Sequence, residues 1–410
     1  MRNFFSFIYD NFSKLRLGLM LTFLSSFGQT YVISLYVIKI SKEFGITEGE
    51  FGAIYSVCTV ISSIVMLSIG HTVDHIRSKK VISITLSCLM LSALLMGFSV
   101  NLAMVVIALV GLRLCGQGML THISFTLLSK LYTYNRGKAV SFTTIGFSLG
   151  EALFPLIITF IIGWLDWRWG MYAAAIFLAI YLIRIQFLDL SHFDQQLDKS
   201  KPTGSSIAKD FKSIILERKF GVLLPSSMIV AFTATAVVLY QYVFVEEKGW
   251  SPELYAAFFT GYAVTRLLFS LFGGVWVDRF TAKKLFRFYL IPMLLGLLAF
   301  GFIDSIVGGL LFLISMGITV GSSGTIKTSV LAEVYGVKKL GRIRSLFTMF
   351  AVLSTALGPL MVGWMIDRDW SIQNIMISLF AIMFLCFLNS QRIGKVKSVT
   401  EAESVVNETA

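Results

Sequence analysis

Residues 70–80 read GHTVDHIRSKK, and residues 274–284 read GVWVDRFTAKK. The second stretch repeats the first 204 residues further on, laying Gly70 on Gly274, Asp74 on Asp278, Lys79 on Lys283 and Lys80 on Lys284. The same offset lays Tyr36 on Tyr240, Glu43 on Glu247, Gly45 on Gly249, Ala53 on Ala257, Gly137 on Gly341, Ser141 on Ser345 and Pro155 on Pro359. One constant shift over so many positions marks an internal repeat.

Hydropathy says what each repeat is made of. The chain has 410 residues, 56% hydrophobic and only 14% charged, with a mean hydropathy of +0.78. A soluble chain is roughly 45–50% apolar even with glycine counted, so this composition is that of an integral membrane protein. A hydrocarbon core about 30 Å thick takes roughly 20 apolar residues per helix. Twelve runs meet that need: 17–40, 50–69, 81–100, 102–128, 139–165, 169–190, 220–245, 254–275, 285–302, 306–334, 343–366 and 372–388. The alternating ten-residue segments of an outer-membrane barrel are absent. No small-residue cleavage site follows the first short apolar stretch, so the first run is read as a retained helix. The expected fold is an all-α membrane protein of twelve helices in two pseudo-symmetric six-helix bundles. Its expected parts are a tail at 1–16, a bundle at 17–190, a linker at 191–219, a second bundle at 220–390 and a tail at 391–410. The linker, SHFDQQLDKSKPTGSSIAKDFK, is polar and carries Pro202 and Gly204.

The net charge of +12 records orientation and not a nucleic-acid partner. Of 35 Lys and Arg, 27 lie in the tails, the linker and the loops on one side of this topology, and five (Lys39, Lys42, Arg168, Lys248, Arg368) on the other. By the positive-inside rule both termini and the linker are expected in the cytoplasm, across a cell inner membrane. The remaining three, Arg113, Arg266 and Lys327, fall inside apolar runs. Cys58, Cys88, Cys115 and Cys386 also lie in apolar runs without a CxxC pair, so no disulfide framework or thiolate metal site is expected.

On these residues the sequence resembles the major facilitator superfamily across nearly its whole length. The family's loop motif, GxxxDRxxRK, is matched at Gly70 and Asp74 and again at Gly274, Asp278 and Arg279, with His75 replacing the usual Arg in the first copy. RLCGQG from Arg113 is similar to the family's fourth-helix motif, and GFSLGEALFP from Gly146 partly matches its fifth-helix motif, with Glu151 and Phe154 departing from the antiporter pattern. The resemblance implies a midplane site used in alternating access. It places Asp74 at the start of the eleventh run near Arg342, and Asp278 at that of the fifth near Lys138, where helix N-termini favour an anion. It also implies that Phe27, Gln29, Tyr31 and Phe232 line the cavity. The spacing of Gly146 and Gly150 is expected to let the fifth helix approach a neighbour closely. His71 and His75 flank Asp74 at a spacing open to a metal, but no third ligand stands nearby, and the segment is read as the loop motif.

The repeat supplies a control for the buried charges. Arg113 corresponds to Gly317, Arg266 to Ser62, Lys327 to Ile123 and Glu151 to Thr355, so each breaks the symmetry. Each cation costs about 2.5–3.5 kcal/mol to insert, which a scaffold of two alike halves does not require. Counting from the helix ends, Glu151 and Arg266 both come near mid-depth, and the resemblance, which makes the fifth and eighth helices neighbours across the two halves, implies a pair between them. Lys327 shares a helical face with Ser323 and Thr319, and Arg113 with Gln117. An Arg in the eighth run is similar to monocarboxylate and oxalate carriers, although the Lys here sits in the tenth run and not the eleventh.

These readings point to a secondary active transporter of a small carboxylate-like anion. Arg266, Lys327, Arg113, Gln117, Tyr31 and Gln29 are expected to bind substrate, and Glu151 to couple protons in symport. The alternatives are a proton-driven drug or metabolite exporter and a non-transporting nutrient sensor on the same fold. No enzyme is expected, because no Ser/His/Asp set, carboxylate dyad or metal cluster converges, and His122 stands alone in the fourth run. No cofactor is expected either, and the expected state is a monomer whose partners are substrate, protons and lipid.

Overall fold

A computed structural model describes the backbone of residues 2–132, 134–196, 214–336 and 340–396, and their side chains except at 2–5, 136, 195, 196, 274, 275, 278, 340–342 and 345. Among the described residues every regular element is helical. Eleven helices are long and apolar enough to cross a membrane, and a bent pair supplies a twelfth. We number them α1 (Ser6–Gly28 with Thr30–Phe44), α2 (Glu48–His75), α3 (Ser78–Gly97), α4 (Leu102–Leu131), α5 (Gly137–Trp164), α6 (Arg168–Gln186), α7 (Arg218–Glu247), α8 (Pro252–Gly273), α9 (Ala282–Phe302), α10 (Val307–Tyr335), α11 (Leu346–Ile366) and α12 (Ile372–Lys395). The chain is thus a multi-pass membrane protein.

Local chemistry sets several ends. Thr47 and Glu50 form a reciprocal capping box at the start of α2, with Glu50 N donating to Thr47 Oγ1 at 3.0 Å and Thr47 N to Glu50 Oε2 at 2.9 Å. Asn101 Oδ1 accepts from Met104 N at the head of α4. Gly45 and Gly249, partners at the repeat offset, end the helices before them at φ +65° and +64°, a left-handed turn that glycine takes without a Cβ clash.

The α-helix that opens the chain runs from Arg2 to Leu24, so helix already occupies the segment read as a tail. Its polar start is held by Asn11, which donates to the Phe7 carbonyl and accepts from Tyr132 Oη. Beyond the end of α6, Asp194 reaches back to cap α3, its Oδ1 accepting from both N and Oγ of Ser78 at 2.7 Å. An acid at a helix N-terminus is favourable. At the end of α12, Gln391 Nε2 donates to the Arg287 carbonyl on α9, so each half docks the end of its sixth helix on its third.

The chain divides into two compact units, Met1–Lys201 with Val238–Thr260, and Pro202–Val237 with Gly261–Ala410. In the first unit α1 packs on α5, and α3 on α6; in the second α9 packs on α10 and α12. The segment 238–260 joins the first unit through Gln241 Nε2, which donates to Ser34 Oγ at 2.9 Å, and through a Lys42–Glu246 ion pair at 3.1 Å.

Candidate functional site

In the first unit the site is built around a break in α1. After the 3₁₀ turn Ser25–Gly28, Gln29 is extended at φ −83° and ψ 153°, and helix resumes at Thr30 with the two pieces bent by 41°. Serines and a glycine at such a point are an ordinary cause of a kink. The break faces a second irregularity, a π-helical stretch over Leu112–Leu120 of α4. π-turns recur at functional positions because they re-aim side chains within a helix. The two meet backbone to backbone. A Cβ on Gly116 would stand 2.7 Å from Gly28 Cα and N, and one on Gly28 would run into the Leu112 carbonyl oxygen.

A broken helix leaves carbonyls without their usual donors, and in a membrane no water replaces them. Arg113 answers part of that need. Its Nη1 donates to the Gly28 carbonyl at 3.3 Å and its Nε to Thr59 Oγ1 at 3.2 Å, while the guanidinium lies 4.7 Å from the centre of the Tyr55 ring. The Tyr55 hydroxyl is 2.7 Å from Thr30 Oγ1, so the ring that carries the cation also holds the restart of the helix. Arg113 is 2% exposed, and among the described residues its Nη2 has no hydrogen-bond partner. Gln117 and Gln29 are half-buried beside this contact.

The fifth helix comes close to α1 through Gly146 and Gly150, as their spacing implies. A Cβ on Gly150 would stand 3.0 Å from the Tyr31 hydroxyl and from Ser26 Cβ. Glu151 follows directly and is 4% exposed. Tyr31 is buried, its ring 6.1 Å from that of Phe259, and Phe27 packs on Phe154 with centroids 4.5 Å apart.

The second unit holds the other two cations on touching helices. Gly317 and Gly321 of α10 sit against α8: a Cβ on Gly317 would be 2.9 Å from the Tyr262 carbonyl oxygen, and one on Gly321 would strike that of Arg266. Further along, Gly273 meets Thr325 in the same way, so α8 and α10 run side by side in one direction. Arg266 and Lys327 are both half-buried. Lys327 lies six residues beyond the Gly321 contact, a rise of about 9 Å at 1.5 Å per residue. Among the described residues no carboxylate or hydrogen-bond acceptor pairs with its ammonium. Thr319, on the face of α10 expected for Lys327, accepts from Met293 N at 3.2 Å, just after α9 is interrupted at residues 289–290, where a buried N–H takes the acceptor in reach.

In the loops, Asp74 pairs with Lys130 at 2.6 Å, and His122 Nε2 lies 3.0 Å from the Gly70 carbonyl, tying the end of α2 to α4. The side chains of Arg342 and Asp278, and Gly274 apart from its backbone, lie outside the described residues. Arg279 is exposed, stacked over Phe280. His71 and His75 stand 5.8 Å apart by ring centroids, and among the described residues no group of three or more His, Cys, Asp or Glu could hold a metal ion. A cluster missed from sequence lies elsewhere in the first unit: Glu43 accepts from Trp167 Nε1 at 2.8 Å and takes both Arg168 guanidinium nitrogens, joining the end of α1 to the α5–α6 turn. The one available signal was that Arg168, at the repeat offset, falls on Ile372.

Known proteins agree with this architecture. A "Multidrug resistance protein B homolog" of Mycobacterium tuberculosis is 26% identical over 164 residues, covering 40% of this chain and 30% of the relative. A "Probable 4-methylmuconolactone transporter" of Cupriavidus pinatubonensis is 25% identical over 206 residues, 48% of this chain and 46% of the relative. The chain thus spans less than half the length of these two relatives in each alignment. Among solved structures, a bacterial homologue of the human lysosomal transporter Spinster, inward-facing and unoccupied, superposes with a TM-score of 0.72 at 15% identity, covering 94% of this chain and 98% of that one. The D-xylose-proton symporter gives 0.68 at 17% identity, with coverages of 94% and 98%. At such identities the likeness speaks for the fold. The sequence profile of the Major Facilitator Superfamily matches residues 18–258 and 223–402, nearly the whole length, and the chain belongs to that family.

Proposed function

We propose that the protein is a secondary active transporter that moves a small organic anion by alternating access, with Arg266 and Lys327 as the binding cations. The observation that carries this reading is their setting: two cations without counterparts in the repeat, on helices packed together at Gly317 and Gly321. An offset of about 9 Å along parallel helices suits a ligand whose carboxylate meets the Arg266 fork and whose far end reaches Lys327. Arg113 has its scaffold bonds to make, and its role in this reading is to hold the α1 break that Gln29, Tyr31 and Gln117 surround, with Nη2 left for substrate.

Glu151 is the proposed proton carrier. A carboxylate 4% exposed in a membrane helix is costly unless it has a task or a partner. Protonating it removes its charge and changes the electrostatic balance in favour of an arriving anion, which is how a proton and an anion can travel together. Reconstituted Glu151→Gln protein is expected to lose concentrative uptake and its pH dependence while keeping exchange. Concentrative, pH-dependent uptake by that variant would remove the assignment.

A proton-driven exporter of drugs or metabolites is the second reading, favoured by the multidrug relative. The cations then select acidic or neutral compounds over cationic ones. Uptake against efflux of one acidic solute in proteoliposomes of known sidedness separates the two. The proposed location is a cell inner membrane, with both termini in the cytoplasm. In a protein stripped of its four native cysteines, a cysteine at Ser205 is expected to resist an impermeant reagent added to intact cells, and ready labelling would overturn the orientation.

A further inference from the structure

Each half carries a basic cleft at the same place in the repeat. In the first unit a cavity of about 260 Å³ opens between the beginning of α1 and the end of α6, rimmed by Lys14, Arg16, Arg184 and His192 over Tyr181. In the second a cavity of about 420 Å³ opens between the beginning of α7 and the end of α12, rimmed by Arg218, Lys219, Arg392 and Lys395. At the 204-residue offset Lys14 falls on Arg218, Leu188 on Arg392 and His192 on Val396, and all six line their clefts. The location is repeated, yet most of the cations are not. Two halves that reach the same local charge with different residues indicate a shared ligand more than an inherited pattern.

The acids present leave both clefts positive. Asp189 accepts from the Ser191 backbone N at 2.9 Å, and Glu217 pairs with Lys219 at 3.1 Å. In the first cleft His192 Nε2 is buried with no hydrogen-bond partner among the described residues, although the site is polar enough to supply one. Next in the chain to each cleft is a large apolar side chain exposed at the surface. Phe187, 84% exposed, directly precedes the cleft residue Leu188, and Leu216, 77% exposed, directly precedes the cleft residue Glu217. Cations and exposed apolar side chains close in sequence at the ends of membrane helices suit the headgroup and acyl regions of a lipid.

We propose that these two clefts are headgroup sites for an anionic phospholipid, each holding one lipid by its phosphate. The phosphate oxygens are received by Lys14, Arg16 and Arg184 in one cleft, and by Arg218, Arg392 and Lys395 in the other, while the acyl chains lie along the exposed apolar side chains. Arginine favours this use, since its fork meets two phosphate oxygens at once. Free phosphate shares the headgroup chemistry but gains nothing from Phe187 and Leu216, so the lipid is the occupant. The inference is independent of what the protein transports.

Native mass spectrometry of the full-length protein, released from micelles doped with phosphatidylglycerol or phosphatidylcholine, tests it. Two phosphatidylglycerol molecules are expected to be retained, with phosphatidylcholine retained at least tenfold less. Lys14→Gln with Arg184→Gln removes two charges worth about 1 kcal/mol each and should lower retention of one lipid by about tenfold or more. Arg392→Gln with Lys395→Gln should do the same for the other. All four residues are exposed, so folding is not at stake, and Lys395→Arg, which keeps the charge, should bind as the wild type does. Equal retention of both lipids, unchanged retention in the Gln variants, or displacement of phosphatidylglycerol by millimolar inorganic phosphate would overturn the proposal.

Discussion

The fourth helix of the first half and the fourth helix of the second half began from one pattern and now do different work. α4 contains a π-helical stretch, is crossed by a broken α1 at Gly116, and turns its cation, Arg113, onto the scaffold. Its repeat partner α10 is an uninterrupted α-helix from Val307 to Tyr335, with its cation, Lys327, about a turn and a half beyond the glycines that bind it to α8. The first helices differ in the same sense, for α7 is continuous over Arg218–Glu247 where α1 is broken at Gln29. Irregular backbone in a membrane is tolerated where protein or a cavity satisfies it. The first half thus holds the broken α1 and the π-helical stretch of α4, and the second half the two cations proposed to meet the substrate.

The strongest break of this comparison comes from exchanging residues between halves. Arg266→Ser and Lys327→Ile, which install the first half's residues, are expected to lower uptake by about 10–100-fold, the loss of one charge-assisted contact each. A control at the matching position of the first half, Ser62→Ala, removes a hydroxyl bonded to the Val110 carbonyl and should leave uptake within about twofold, as one neutral hydrogen bond implies. Proteoliposome uptake at matched protein density reads both.

A smaller effect is expected from the glycines. Gly116→Ala forces a methyl into Gly28 and should destabilise the protein by about 1–3 kcal/mol. Gly324→Ala on α10 meets nothing within 4 Å and should be neutral or stabilising by up to about 1 kcal/mol. Thermal melts in one detergent compare them, and similar losses would mean that α4 is no tighter than α10. Arg113→Leu should cost about 1–3 kcal/mol, because it strands the Gly28 carbonyl as well as losing its own bonds. Arg113→Lys keeps the charge but not the two-armed reach, and should recover only part of that.

The smallest effect concerns the clefts. Burial holds the His192 imidazole below its ordinary range, with Lys14 adding to the shift and Asp189 and Asp194 opposing it. The folded state thus favours neutral His192. Its contribution is present above the unfolded value of about 6.5 and is lost as pH falls through the lowered folded value. Wild type should lose more melting temperature between pH 7 and pH 5 than His192→Val, which carries the second half's residue. An equal loss would place the acid sensitivity elsewhere.

Much of the architecture was legible because hydropathy and repetition are local and repeated signals. Runs such as 139–165 and 220–245 agree with α5 and α7 to within a turn, and Gly45 and Gly249 take the same left-handed turn. The break at Gln29 was not legible. Tyr31, Val32 and Ile33 continue the apolar pattern across it, and the groups that satisfy it, Arg113 and Tyr55, come from other helices. The π-helix in α4 escaped for a related reason, since the backbone it packs against, at Gly28, is far away in sequence. Symmetry breaking singled out Arg113, Arg266 and Lys327 alike, but it did not show that Arg113 bonds the Gly28 carbonyl and Thr59 on other helices.

The central claim is that the second half's two cations bind an anion, and a thermal-shift titration of purified protein tests it most directly, because a ligand stabilises the state it binds by mass action. Mono- and dicarboxylates, matched neutral analogues and matched amines are compared on wild type, Arg266→Gln and Lys327→Gln. The account predicts that at least one carboxylate raises the wild-type melting temperature in a saturable way, that its neutral analogue and amine do not, and that each variant loses the shift while melting near wild type. Saturable stabilisation by an amine, or a carboxylate shift unchanged in both variants, would contradict it.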